Sequence, residues 1–474
     1  MKKLIFISAC IYIITGCNKD ISKLNIDQKN PTTVPSNTLF SNAQKNLAYN
    51  VADANVNNNI FRLITQQWTE TTYTDESNYN LNTRQIPDNW WTSIYKDVLR
   101  DLEEAKKLIP IDVSDATIQK NQIAIADILQ VYSFQLLVNT FGDVPYSQAL
   151  KDEILFPGYD DAKTIYYDLL SRLDADIVAL DASAASFNST ADLLYGGDVE
   201  KWRKFANSLK LVMGIVLADS DPATAKTVVE SAVLGAFASN DDNAVFYFLT
   251  APPNTNPVWV NLVQSGRNDF VPANTIVDLM EDLNDPRLPL YFTTVSGAGY
   301  KGGVPGSGNT FTNFSHVTAA QVVPEAPYVI LDYAQVEFTL AEAVERGMNV
   351  GGTTQEHYNN AVTASIEEWG GTAAEAAAYL AEPEVNYVTA PGDYKQKIAT
   401  QEYIALYNRG FDAWTLIRRL DYPEMKTPTN AQSDFLVRFT YPILEQNINT
   451  SNYNAASSAI GGDVVTTKLF WDKY

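Results

Sequence analysis

Cysteine and histidine are almost missing from this 474-residue chain. Both cysteines, Cys10 and Cys17, fall within the first 17 residues. The body therefore cannot build a disulfide framework or a cysteine zinc site. A histidine metal centre or a Ser-His triad would have to rest on His316 or His357, the two histidines present. Positive charge is also scarce, with 34 Lys and Arg against 56 Asp and Glu and a net charge of −22. That balance argues against sequence-independent nucleic-acid binding and against polybasic attachment to anionic headgroups. The G-x-S-x-G, H-E-x-x-H, P-loop and EF-hand patterns are absent, so no signature calls for a metal, a cofactor or a catalytic site.

Long apolar runs are missing too, apart from one near the start. Met1-Lys2-Lys3 is followed by a largely apolar run of eleven residues, Leu4 to Ile14, and then by Thr15-Gly16-Cys17. Eleven residues fall short of the ~20 needed to span a bilayer and suit a signal-peptide core. A small residue directly before a cysteine at its end resembles a bacterial lipobox. Residues 1–16 are thus expected to be cleaved, and Cys17 to carry acyl chains that anchor the protein. Loss of Lys2 and Lys3 would move the charge from −22 to −24. Residues 17–36 are polar and proline-containing, which reads as a tether.

What is plentiful is apolar periodicity at helical spacing. It predicts two helices within 37–72, the second carrying Phe61, Ile64 and Trp68. It predicts further helices at 89–109 (stopped by Pro110), 116–140, 162–183, 199–218 and 222–235. Others are expected at 272–283, 331–346, 354–369 and 395–420. The expected fold is all-α, a tetratricopeptide-like scaffold of helix pairs, although no clean copy of that repeat signature is present. The scaffold spans 37–250 and resumes over 328–474. Between them, 251–327 reads as an irregular excursion: 251–272 holds four prolines, and 293–327 holds six glycines and two charged residues. Long loops of this kind tend to be functional.

The aromatics point to a binding surface. Trp91, Trp202 and Trp414 continue apolar stripes. Trp90, by contrast, aligns with Ile94, Asp97 and Asp101 on a largely polar face, after a loop that carries Tyr73, Tyr79, Asn80 and Arg84. Trp259 is flanked by loop signals and followed by Arg267 and Asp269. Glycine stretches surround Tyr300 and Asn309. Exposed rings beside planar polar groups suit a sugar, whose C–H face stacks while its hydroxyls are bound. The alternative is that these rings cover scaffold beneath the loops. Trp369 and Phe311 are the next candidates. A carboxylate pair for glycoside hydrolysis is the competing chemistry. Glu337, Glu342 and Glu345 share the helix at 331–346 but read as a hydrated face, and His357 as a solvated surface residue. His316 lies in the excursion, where it could touch a ligand.

The order of several segments resembles the SusD/RagB family of outer-membrane lipoproteins. They are the ITGC lipobox at Cys17, LNIDQKNPTTVPSNTLF, WWTSIYKDVLRDLEEAKKLI, VNTFGDVPYSQAL, LYGGDVEKWRKFANSLKLVMGIVLAD, LNDPRLPLYF, LDYAQVEFTLAEAVERG and IALYNRGFDAWTLIRRLDYPEM. The resemblance implies a non-enzymatic, surface-exposed nutrient-binding lipoprotein that caps a SusC-type TonB-dependent transporter. It implies a glycan ligand, or an oligopeptide in some branches. It carries over no ligand residue.

Overall fold

The computed structural model describes residues 34–473, and those within Ser36–Tyr474 form one compact unit. The expected signal peptide, Cys17 and nearly all of the expected tether lie outside the described residues. Helices dominate, and the sheet content is two antiparallel two-stranded ladders among the described residues.

The first helix, α1 (Ser36–Ala52), is followed by a short turn of helix, α2 (Phe61–Ile64), and by strand β1 (Trp68–Glu70). Trp68 was expected on a helix but lies in this strand, because β1 pairs with a strand 200 residues downstream. Next come α3 (Ile86–Ile94) and α4 (Arg100–Asp112), joined by a π-helical turn at Tyr95–Leu99. Pro110 does not stop α4. It sits inside the last turn, where the helix ends two residues later anyway. Then follow α5 (Ala116–Phe141), α6 (Ala162–Ala179), α7 (Val199–Val216) and α8 (Pro222–Ala232). Their starts are set by Asp115, Asp161, Asp198 and Asp221, each accepting a bond from a first-turn N–H. Such caps contribute about 1 kcal/mol each.

Strand β2 (Ala244–Phe246) opens the excursion, which contains α9 (Pro257–Trp259), β3 (Phe270–Pro272), α10 (Asn274–Asp282) and α11 (Leu288–Tyr291). Strand β4 (Tyr328–Leu331) pairs with β2 and closes it. The chain then forms α12 (Tyr333–Glu345), α13 (Thr354–Glu368), α14 (Ala373–Leu380), α15 (Tyr394–Ala405), α16 (Gly410–Leu420), α17 (Ile443–Ile448) and α18 (Thr450–Ala459). The single helix expected over 395–420 is broken between α15 and α16. Asn408 is left-handed there (φ 69°) and gives its N–H to Gln67 Oε1 at 3.0 Å.

The helices pack as neighbouring pairs, α1 on α4, α5 on α6, α7 on α8 and α12 on α13. This is the all-α, tetratricopeptide-like scaffold. Most buried residues join one large core, with a smaller cluster under α13 and α14.

Candidate functional site

The site grows from the ladder between β1 and β3, where Trp68 pairs with Pro272, Thr69 with Val271 and Glu70 with Phe270. This ladder pins the excursion to the loop after β1. Thr71 extends the ladder, its N–H reaching Asp269 O at 2.9 Å and its hydroxyl reaching Asn268 O at 2.6 Å. Asn309 fastens the glycine turn to the same strand. Its amide donates to Glu70 O at 2.9 Å, while its backbone N–H reaches Thr71 O at 2.9 Å. Asn78 ties in a fourth segment. It donates to Gly306 O at 2.9 Å and accepts from the Asn430 N–H at 2.8 Å. Segments 71–79, 268–272, 303–309 and 428–432 therefore form one surface. Gly306 is required there. Its φ is 71°, and an added Cβ would lie 2.1 Å from Asn78 Oδ1.

Three candidate residues meet on that surface. Tyr73 is 64% exposed. Two residues before it, Thr71 is bonded to Asn268 and Asp269, which sets the Tyr73 loop alongside Arg267, whose Nε donates to Asp269 Oδ2 at 2.6 Å. An open ring thus lies beside a guanidinium–carboxylate pair. Trp259 is half-buried at the end of α9, a turn capped by Asn256. Tyr300 is half-buried in the glycine-rich stretch, and burial raises its hydroxyl pKa.

Other candidates do not present what the sequence suggested. Trp90 is fully buried. It packs edge-on against Phe61 (5.1 Å between ring centres), and its N–H reaches Thr140 Oγ1 at 3.2 Å. The π-turn after Ile94 explains the misreading. It adds a residue to the helical register, so Asp97 and Asp101 do not continue the face of Trp90. Asn309 is 2% exposed and spends its side chain on the bracket just described. Tyr79 is 5% exposed, and burial pushes its hydroxyl up to about 12. It still forms one wall of a cleft of about 500 Å³ lined by Met425–Pro428 and Ala431–Phe435. Asn80 closes its own turn, accepting from the N–H groups of Asn82 and Thr83. Arg84 Nε donates to Glu76 Oε1 at 2.6 Å.

Of the three helix-borne carboxylates Glu345 is exposed as expected, but Glu337 and Glu342 are not part of a hydrated face. Glu342 is fully buried between Arg346 (2.7 Å) and Arg419. Glu337 is buried against His357 Nδ1 at 2.7 Å. His357 is accordingly half-buried, with Nε2 on Gly351 O at 3.1 Å. His316 stacks on Phe311 at 3.7 Å, which covers one face of each ring.

Sequence reasoning missed the bracket formed by Asn78 and segment 428–432. The run PEMKTPTN, with its two prolines and one asparagine, was the available signal. It also missed a second cavity of about 440 Å³, lined in part by Trp369, Tyr407, Asn408 and Glu368. Among the described residues no group of His, Cys, Asp and Glu is arranged to hold a metal.

A helix-pair scaffold that displays a loop-built surface with an open ring defines a binding protein in class. The match to known families is specific. Residues 28–442 fit the SusD-like family described as starch-binding and associating with the outer membrane, and the chain belongs to that family. Solved structures agree. A chitin-binding protein is 25% identical with a TM-score of 0.80, covering 93% of this chain and all of its own. A SusD homologue from Bacteroides uniformis is 28% identical with a TM-score of 0.78, covering 92% of this chain and 99% of its own. A chitin-binding SusD homologue from Flavobacterium johnsoniae is 25% identical with a TM-score of 0.77, covering 92% and 98%. No curated protein matches significantly.

Proposed function

We propose that this protein is a glycan-binding lipoprotein of the outer membrane, anchored through Cys17, that captures oligosaccharides and passes them to a SusC-like TonB-dependent transporter. The observation that carries the reading is the exposed Tyr73 ring beside the Arg267–Asp269 pair, on a surface built by four loop segments. A ring of this kind stacks on a sugar face, and the pair offers both donors and acceptors to hydroxyls. Two solved relatives are named as chitin-binding, which makes β-linked N-acetylhexosamine chains the first ligands to try. Binding is favoured over hydrolysis because Glu337 and Glu342 are each held by a basic partner rather than facing an open cleft. Calorimetry on a panel of chitin, starch and other oligosaccharides tests the proposal. Retention of at least one glycan is expected, with no release of reducing sugar. Preference for peptides across a parallel panel would overturn it.

A further inference from the structure

Beneath the loop that carries Tyr73, two acids are buried together. Glu70 is the last residue of β1 and is 3% exposed. Glu76 is in the 3₁₀ turn after it and is 0% exposed. They are stitched by Ser77, whose N–H donates to Glu70 Oε2 at 2.9 Å and whose hydroxyl accepts from the Glu70 N–H at 3.1 Å. Glu76 directly precedes Ser77, so the Ser77 bonds bring the two buried acids together, and Glu76 is among the groups that act on the Glu70 carboxyl. Arg84 supplies one cation, through Nε on Glu76 Oε1 at 2.6 Å. Glu76 Oε2 is buried and accepts no hydrogen bond from any donor that is fixed in the structure.

Among the described residues Arg62 of α2, which packs on the turn 76–78, is also a buried cation, but it is spent on Asn408 Oδ1, Asp53 O and Ala52 O rather than on either acid. Across the ladder β3 presents Phe270, and the glycine turn presents the Asn309 amide, already bound to the Glu70 carbonyl oxygen. Asp269, just before β3, is paired with Arg267. Two buried carboxyl groups facing one guanidinium cannot both be ionised cheaply, since like charges at contact and desolvation act in the same direction.

We infer that Glu70 and Glu76 share a proton, and that this hydrogen bond locks the turn 75–79 and with it the loop that presents Tyr73. The proton fills the free Oε2 of Glu76 and makes the cluster neutral overall with Arg84. Burial first, and then Glu76, push the Glu70 carboxyl from 4.5 up to about 9. When the loop opens to water Glu70 returns to its ordinary range. A folded-state value above the open-state value means that the lock is strongest at low pH and weakens as pH rises towards about 9. The bearing of the lock on glycan capture rests on the function proposed above; the lock itself does not.

Hydrogen exchange over residues 71–84 in the full protein, compared with Glu70→Gln, tests the lock without any ligand. Gln keeps a donor for Glu76 Oε2 and cannot ionise. The protection of the parent relative to Glu70→Gln is expected to fall about tenfold per pH unit between about pH 5 and about pH 9. A ratio independent of pH would overturn the inference. If Glu70→Gln does not fold, the parent alone decides, with chemical exchange rates corrected for pH. Constant corrected protection of 71–84 up to pH 9 contradicts the lock. Calcium chloride is the final arm. Tighter protection of 71–84 in its presence would show that a cation rather than a proton joins the pair, and would also overturn it.

Discussion

Tyr73 and Trp90 bracket the same loop, yet they do opposite work. Tyr73 has a free face, while Trp90 is sealed among Phe61, Phe411 and Thr140. Trp90→Ala should therefore destabilise the fold by about 3–5 kcal/mol, as expected for a buried tryptophan, and chemical denaturation measures it. Any loss of ligand binding in that variant should follow unfolding. Tyr73→Ala should leave the denaturation midpoint unchanged within ~0.5 kcal/mol, because an exposed ring is being removed. The difference was not legible from side-chain types. Both rings sit beside polar neighbours in sequence, and the face assignment for Trp90 assumed an uninterrupted 3.6-residue period. The π-turn at Tyr95–Leu99 breaks that period, and nothing in its residues YKDVL announces it. Arg267 and Asp269 were legible as polar partners, and the structure pairs them beside the strand end at Thr71 that leads into Tyr73.

At the scale of elements, helices were readable because their caps and stripes are local. Asp115, Asp161, Asp198 and Asp221 mark helix starts, and Thr353 and Thr372 head capping boxes with Glu356 and Glu375. The strands were not readable, because β1 gains its order from β3 across a long loop, and three-residue strands carry little periodicity. Gly306 shows how the loops are held. Gly306→Ala forces a side chain into the left-handed region and against Asn78, so a loss of about 1–3 kcal/mol in a denaturation titration is expected. The α12–α13 pair has its own pH dependence. Burial disfavours the charged His357 ring, but the hydrogen bond and charge of Glu337 outweigh it and the pKa is raised. The ring's contribution is thus complete below its ordinary value of 6.5 and is lost as pH rises through the raised value. The melting-temperature gap between the parent and His357→Ala should be widest near pH 5 and narrow above pH 7. A gap that widens with pH would contradict the pairing.

For the whole molecule, a scaffold of helix pairs and a surface made of distant loops belong to the SusD-like family. The proposed anchor is a single residue at the far N-terminus. Cys17→Ala should release the protein from the outer membrane in cells lacking the proposed transporter, and retention in that fraction would disprove anchoring through this residue. The order of segments along the chain was sufficient to reveal the family. The proposed ligand surface was not, because its members lie more than 350 residues apart, from Tyr73 to Asn430, and the distant partners that the Asn78 and Asn309 side chains bind are not marked in the local sequence.

The most direct test of the account is calorimetry of parent and Tyr73→Ala against the tightest glycan found in the panel. Loss of one stacked ring is worth on the order of 1 kcal/mol beyond its buried area, and each 1.4 kcal/mol is tenfold in affinity. The account predicts binding weakened about fivefold to tenfold or more, with an unchanged melting curve. Equal affinity in the two proteins would contradict it and place the glycan elsewhere on the molecule.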